Sequence, residues 1–149
     1  MTMQIKDYIR YKLRKYVFIG AENINEFFDP EKFGLQPEDI CTNCWKGFRC
    51  DFSIRNKNIY LETLEVNDSN NKYPDINGVK VKKHKNFDGY HVYEKLKLKL
   101  NYTGEIAIGK GLKEEYYDRA FIGEDAYENV IILTFKNGKL IEQKVLMDD

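Results

Sequence analysis

Val130-Ile131-Ile132-Leu133-Thr134-Phe135-Lys136-Asn137-Gly138-Lys139-Leu140-Ile141-Glu142-Gln143-Lys144-Val145-Leu146 decides the fold class. Its first part is β-branched and apolar on both faces, the composition of a strand. Asn137-Gly138 then favours positive φ at both central turn positions, so a two-residue type I′ turn joins it to a second strand. Upstream, Ser53-Ile54-Arg55-Asn56-Lys57-Asn58-Ile59 resembles Thr134-Phe135-Lys136-Asn137-Gly138-Lys139-Leu140. There Trp45 to Ile54 carries Phe48, Cys50, Phe52 and Ile54 on one face and Arg49, Asp51 and Ser53 on the other, a half-buried strand. Arg55 to Asn58 is the turn and Ile59 to Val66 the returning strand, so the chain uses one hairpin type twice.

Leu96, Leu98 and Leu100 alternate with Lys95, Lys97 and Lys99, which predicts a strand with one wet lysine face. Tyr102 to Ile108 continues as strand past an irregularity at Gly104, and Tyr8 to Gly20 reads as one bent strand or a loose hairpin. Ala21 to Phe28 predicts a short helix capped by Asn23, with Ile24, Phe27 and Phe28 on one face and Pro30 as its stop. Lys113 to Arg119 is a second short helix, and Asn67 to Asn77 is a loop by its Asn, Asp, Ser and Pro content. No linker divides the chain, so residues 1–149 are read as one domain. The predicted fold class is all-β or β-dominated α+β: a curved antiparallel sheet or sandwich with one or two short helices.

With 42% hydrophobic residues, 11 Tyr and 9 Phe, the chain is too apolar for a disordered one. Its 24 basic and 24 acidic residues cancel, which argues against a dedicated nucleic-acid binder, since phosphate neutralisation needs an excess of clustered Lys and Arg. No apolar run is long enough to span a bilayer, and Met1 to Arg14 lacks the apolar core of a signal peptide, so the expectation is a cytoplasmic protein with no membrane contact.

The charge is nevertheless segregated. Lys80, Lys82, Lys83, Lys85, Lys95, Lys97 and Lys99 make a basic middle. Glu114, Glu115, Asp118, Glu124, Asp125 and Glu128 make an acidic stretch answered only by Arg119, and Glu22, Glu26, Asp29, Glu31, Glu38 and Asp39 make another. Such runs are solvated faces by default and docking surfaces for a basic partner in the sharper reading.

Chemistry-bearing motifs are thin. Cys41-Thr42-Asn43-Cys44 is a CxxC, but Cys50, His84 and His91 are the only further soft ligands and the pair runs into a strand, so neither a zinc site nor a thioredoxin-like centre is expected. Three cysteines within ten positions make a poor disulfide framework. His84 and His91 flank a predicted turn with no nucleophile beside them, and the glycines match neither phosphate-loop pattern, so no catalytic residue and no cofactor is assigned. Trp45 reads as a core anchor or, with Lys46 as a polar handle, as an aromatic contact on a binding face.

Thr42-Asn43-Cys44-Trp45-Lys46-Gly47-Phe48, the Asn56-Lys57-Asn58 turn, Ile59-Tyr60-Leu61, Tyr102-Thr103-Gly104-Glu105-Ile106, Glu115-Tyr116-Tyr117 and the final hairpin together resemble a pattern in uncharacterised bacterial proteins. Those carry a Trp-Arg-Gly-Tyr segment before a strand, a turn and a Leu-Tyr-Leu strand, then a Thr-Gly-Glu-Leu strand, a Tyr-rich segment and a last hairpin. Lys46 and Phe48 depart from it, and the resemblance implies no activity and no site residue. The functional expectation is therefore a non-catalytic protein-binding module for a basic partner, of the immunity type that neutralises a bacterial toxin. Trp45, Lys46, Glu114, Glu115, Tyr116, Tyr117 and Asp118 are its candidate contacts. The alternatives are a small-ligand or carbohydrate binder using Trp45, Tyr116 and Tyr117, and an enzyme in which His84 or His91 meets a carboxylate. Pairing of a sheet edge with another copy stays open.

Overall fold

The computed structural model describes residues 4–39, 44, 46–83, 90–117, 119 and 122–147. In chain order the strands are β1 (Asp7–Tyr11), β2 (Arg14–Ala21), β3 (Phe48–Arg55), β4 (Asn58–Val66), β5 (Lys82–Lys83), β6 (His91–Tyr93), β7 (Leu98–Lys99), β8 (Gly104–Leu112), β9 (Tyr127–Lys136) and β10 (Lys139–Met147). A four-residue helix, α1 (Ile24–Phe27), follows β2. The fold is β-dominated, as the patterning predicts, and the strands form one curved sheet in the order β10-β9-β8-β2-β1-β3-β4-β6-β5, with β7 beside β4.

Three hairpins share one turn. Asn137-Gly138 has φ of 51° and 80°, Asn56-Lys57 has 50° and 66°, and Lys12-Leu13 has 50° and 64°. Two successive left-handed residues twist in the sense the strands need, which is why type I′ recurs. At Lys12-Leu13 neither residue favours that conformation, so β1 and β2 read in the sequence as one ambiguous stretch. Leu13 stands fully exposed at that tip.

Two features lie outside local patterning. β1 pairs with β3 in parallel, Tyr8 opposite Asp51 and Arg10 opposite Ser53, so the sheet is mixed rather than purely antiparallel. The sheet also closes on itself: Lys139 bridges Asn58, the Leu140 N–H donates to Lys57 O at 2.6 Å and the Ile59 N–H to Gly138 O at 3.2 Å. Inside the resulting incomplete barrel lie Ile9, Phe18, Phe52, Leu61, Ile108 and Leu133, among other buried apolar side chains.

The leucine–lysine alternation is only partly a strand. Lys95 and Lys97 have φ of 53° and 48°, and only Leu98–Lys99 is extended. The faces are nonetheless as expected, because the Leu96 and Leu100 N–H groups reach Glu62 O and Ile59 O on β4 and both leucines are buried. Helix α1 is shorter than predicted. Asn23 occupies the N-cap without a side-chain bond, and Ile24 is 50% exposed while Phe27 and Phe28 are buried. The predicted second helix is a 3-10 turn, Glu114–Tyr116.

The loop after β4 is organised by Asp68, which accepts from the backbone N–H groups of Gln36 (2.6 Å), Lys72 (2.9 Å) and Asn70 (3.0 Å). Burial pushes its carboxyl up, but those three donors outweigh burial and hold it below its ordinary value. A depressed folded value means that this stability is present above the unfolded value and is lost as pH falls through the folded one, below about pH 4. Asp68→Ala is expected to cost about 2–3 kcal/mol at pH 7, since it removes a charged acceptor shared by three backbone donors. Urea melts should show that gap shrinking at pH 3; a gap that persists there would remove the carboxylate from the account.

Candidate functional site

The outer face of β2, β8 and β9 is apolar as well as the inner one. Ala126, Tyr127 and Val130 form a buried satellite cluster there, with Val17, Ile19, Leu112, Tyr116, Ile122 and Ile132 against it. This explains a strand at Val130 to Phe135 with no polar face. Burial pushes the Tyr127 hydroxyl up to about 12, with nearby Tyr8 adding to the shift, so it stays protonated near neutral pH.

Beside this cluster the same strands open into a groove of about 320 Å³. Ile19, Ala21, Ala107 and Ile132 contribute its apolar floor, and Glu22, Glu105 and Glu124 stand around it. Among the described residues no Lys or Arg lines it. Three local devices assemble it. A register shift between Phe18 and Gly20 re-aims Ile19, as bulges do. The Glu22 N–H donates to Glu105 O at 2.9 Å, fixing the end of β2 against β8. The 3-10 turn Glu124–Ala126 then sets Glu124 at the start of β9. An apolar floor with carboxylates above it suits a lysine or arginine side chain, whose stem is aliphatic and whose head is cationic.

The predicted contacts group partly here. Tyr116 packs on the satellite cluster under the Arg119 guanidinium, 4.5 Å from its ring centroid, so it supports the surface rather than presenting itself. Tyr117 is 56% exposed, and Glu114 and Glu115 are exposed on the adjoining 3-10 turn, which Lys113 ties to Ala126 through a 2.8 Å backbone bond. Lys46 lies apart: it pairs with Asp7 and rests over the Phe48 ring, a tether between β1 and the start of β3. Trp45 and Asp118 lie outside the described residues, as do His84 and Cys41.

A second groove, of about 390 Å³, has the opposite sign. Arg10, Lys15, Arg55, Lys95 and Lys97 line it, with Asp51 and Glu62. Asp51 is engaged by Arg49 at 2.7 Å, and Glu62 by Arg55 at 3.0 Å and by the Ser53 hydroxyl. Among the described residues no ion pair engages Arg10, Lys95 or Lys97, while Lys15 lies over the Tyr8 ring at 4.0 Å and directly opposite Arg10. Like charges facing across a strand pair are destabilising, so their juxtaposition favours an anion between them.

Ser53 is buried at 6% exposure, yet its carboxylate partner is already held by Arg55. Among the described residues no histidine lines either groove. His91 instead stacks on Tyr73 with centroids 4.0 Å apart. Cys44 and Cys50 are free and buried, and burial drives the Cys50 thiol well up, which makes it inert. Among the described residues no three His, Cys, Asp or Glu side chains come together as a metal site, and no helix is long and apolar enough to cross a membrane.

No protein-family model matches the chain, and no curated protein or solved structure matches it.

Proposed function

We propose that this chain is a non-catalytic protein-binding module whose acidic groove takes a Lys or Arg side chain of a basic partner. The observation that carries this reading is the convergence of Glu22, Glu105 and Glu124, from three separated segments, on an apolar floor that no Lys or Arg among the described residues lines. Complementary charge steers such a partner in, and the floor supplies contact area. Exposed Tyr117, Glu114 and Glu115 extend the surface beside it. An immunity-type role, in which the module masks a basic toxin, fits that chemistry.

Titration with an Arg-rich peptide, followed by calorimetry and backbone NMR, tests it. Glu22→Gln/Glu105→Gln/Glu124→Gln is expected to weaken binding about tenfold at low salt, three surface pairs each contributing less than about 1 kcal/mol. Unchanged affinity, or shifts confined to other faces, would discard the groove.

The basic groove supports a second reading, a small-anion site between Arg10, Lys15, Lys95 and Lys97. Tripolyphosphate is the probe. Perturbation of those four residues, abolished by Arg10→Glu/Lys97→Glu, is the expected result.

A further inference from the structure

Among the described residues β10 is an open edge along most of its length: it pairs with β9 on one side, and on the other it meets β4 at Lys139 and Leu140 alone. From Ile141 to Leu146 every residue is exposed, and Ile141, Val145 and Leu146 are 60%, 51% and 44% exposed. An apolar open edge is a template for strand addition, and proteins ordinarily blunt one with charge or cover it. The opposite end of the sheet is blunted in this way: β5 is only Lys82–Lys83, both exposed.

What covers β10 is written in its sequence. About Gln143, Ile141-Glu142-Gln143-Lys144-Val145 is self-complementary: an apolar β-branched residue, an acid, the centre, a base, an apolar β-branched residue. We infer that a second copy of this chain pairs with β10 antiparallel across a two-fold axis at Gln143. Glu142 then faces Lys144 of the second copy and Lys144 its Glu142, while Ile141 faces Val145 at both ends.

Glu142 and Lys144 lie opposite Thr134 and Ile132 of β9, on the outer face, whereas Gln143 lies opposite Leu133 on the core face, where the Tyr11 hydroxyl donates to its Oε1. The axis therefore matches outer face with outer face and core face with core face. Register shifts at Ile141 and Leu146 bracket the regular run Glu142 to Val145, and β4 occupies the edge from Leu140 back. The pairing is thus short and confined. Among the described strands each copy has one such edge and the isologous contact uses it up, so assembly stops at a dimer.

Sedimentation equilibrium of the full chain over a wide concentration range reads the association. The wild type is expected to fit a monomer–dimer equilibrium from a 17.7 kDa chain. Glu142→Lys and Lys144→Glu each convert both cross-strand ion pairs to like-charge pairs, and each should weaken dimerisation about tenfold or more. An equimolar mixture of the two variants restores both opposite-charge pairs and should dimerise like the wild type, which also shows that both variants are folded. A wild type monomeric to its solubility limit, single variants that associate normally, a mixture that stays monomeric, or growth beyond two copies would each overturn the pairing.

Discussion

Gly138→Ala should destabilise the protein by about 3–5 kcal/mol, a large share of the 5–15 kcal/mol typical of a domain. Gly138 sits at φ 80° in the last turn, where any side chain is strained by about 1–2 kcal/mol. The larger cost is steric. A methyl group there would run into the Leu100 carbonyl oxygen, a backbone atom that cannot swing aside. The same residue donates to Tyr102 O at 2.8 Å and accepts from the Ile59 N–H at 3.2 Å, so two segments, 100–102 and β4, close on it. Displacing it parts the final hairpin from β4 and opens the barrel. Gly78→Ala is the control, since Gly78 has φ 76° but open space around it, and it should cost only the conformational share. Urea denaturation of both variants separates the terms. Equal losses would show that closure at Gly138 contributes nothing.

That junction also marks where sequence reading stops. The turn at Asn137-Gly138 is legible because positive φ at two successive positions demands those residue types. The contact of Gly138 with Leu100 and Ile59 is not, because it joins segments distant in sequence. The parallel pairing of β1 with β3 is hidden for the same reason, and the Lys12-Leu13 turn is hidden because its residues disfavour the conformation they adopt. At Lys95 to Lys99 the alternation gives the correct faces but not the backbone, since Lys95 and Lys97 are left-handed while Leu96 and Leu100 bond to β4.

The acidic groove was half legible. The segregation of Glu22 and Glu124 into acidic runs is visible in the sequence, and so is the two-faced apolarity of Val130 to Phe135. Nothing local shows that Glu22 and Glu124, from different runs, meet at one groove, or that Glu105 completes the set. The basic groove escaped in another way. Lys95 and Lys97 belong to a visible basic stretch, but Arg10 and Lys15 reach them only through the β1–β3 pairing that no pattern announces.

Phe27→Ala should cost about 3–5 kcal/mol and weaken the groove as well, which links the core to the proposed binding surface. Phe27 is 2% exposed, stacked on Phe18 at 5.0 Å, edge-on to Tyr102 at 5.1 Å and tilted against Phe52 at 4.9 Å. A helix of four residues cannot hold itself together in water, so α1 persists because this ring anchors it. Glu22 lies just before α1, and Tyr102, whose ring meets the Phe27 ring edge-on, donates its hydroxyl to Glu105 O at 3.0 Å. Removing the ring is therefore expected to loosen the backbone that carries two of the three groove carboxylates, Glu22 and Glu105. The expected result is a melting temperature lower by about 10 °C, at about 2–4 °C per kcal/mol for a chain of this length. Binding of the Arg-rich peptide should weaken while the fold still holds at low temperature. Phe27→Leu keeps most of the volume and should lose less of both. A Phe27→Ala protein that melts much lower yet binds with unchanged affinity would show that Glu22 and Glu105 are placed by β2 and β8 alone.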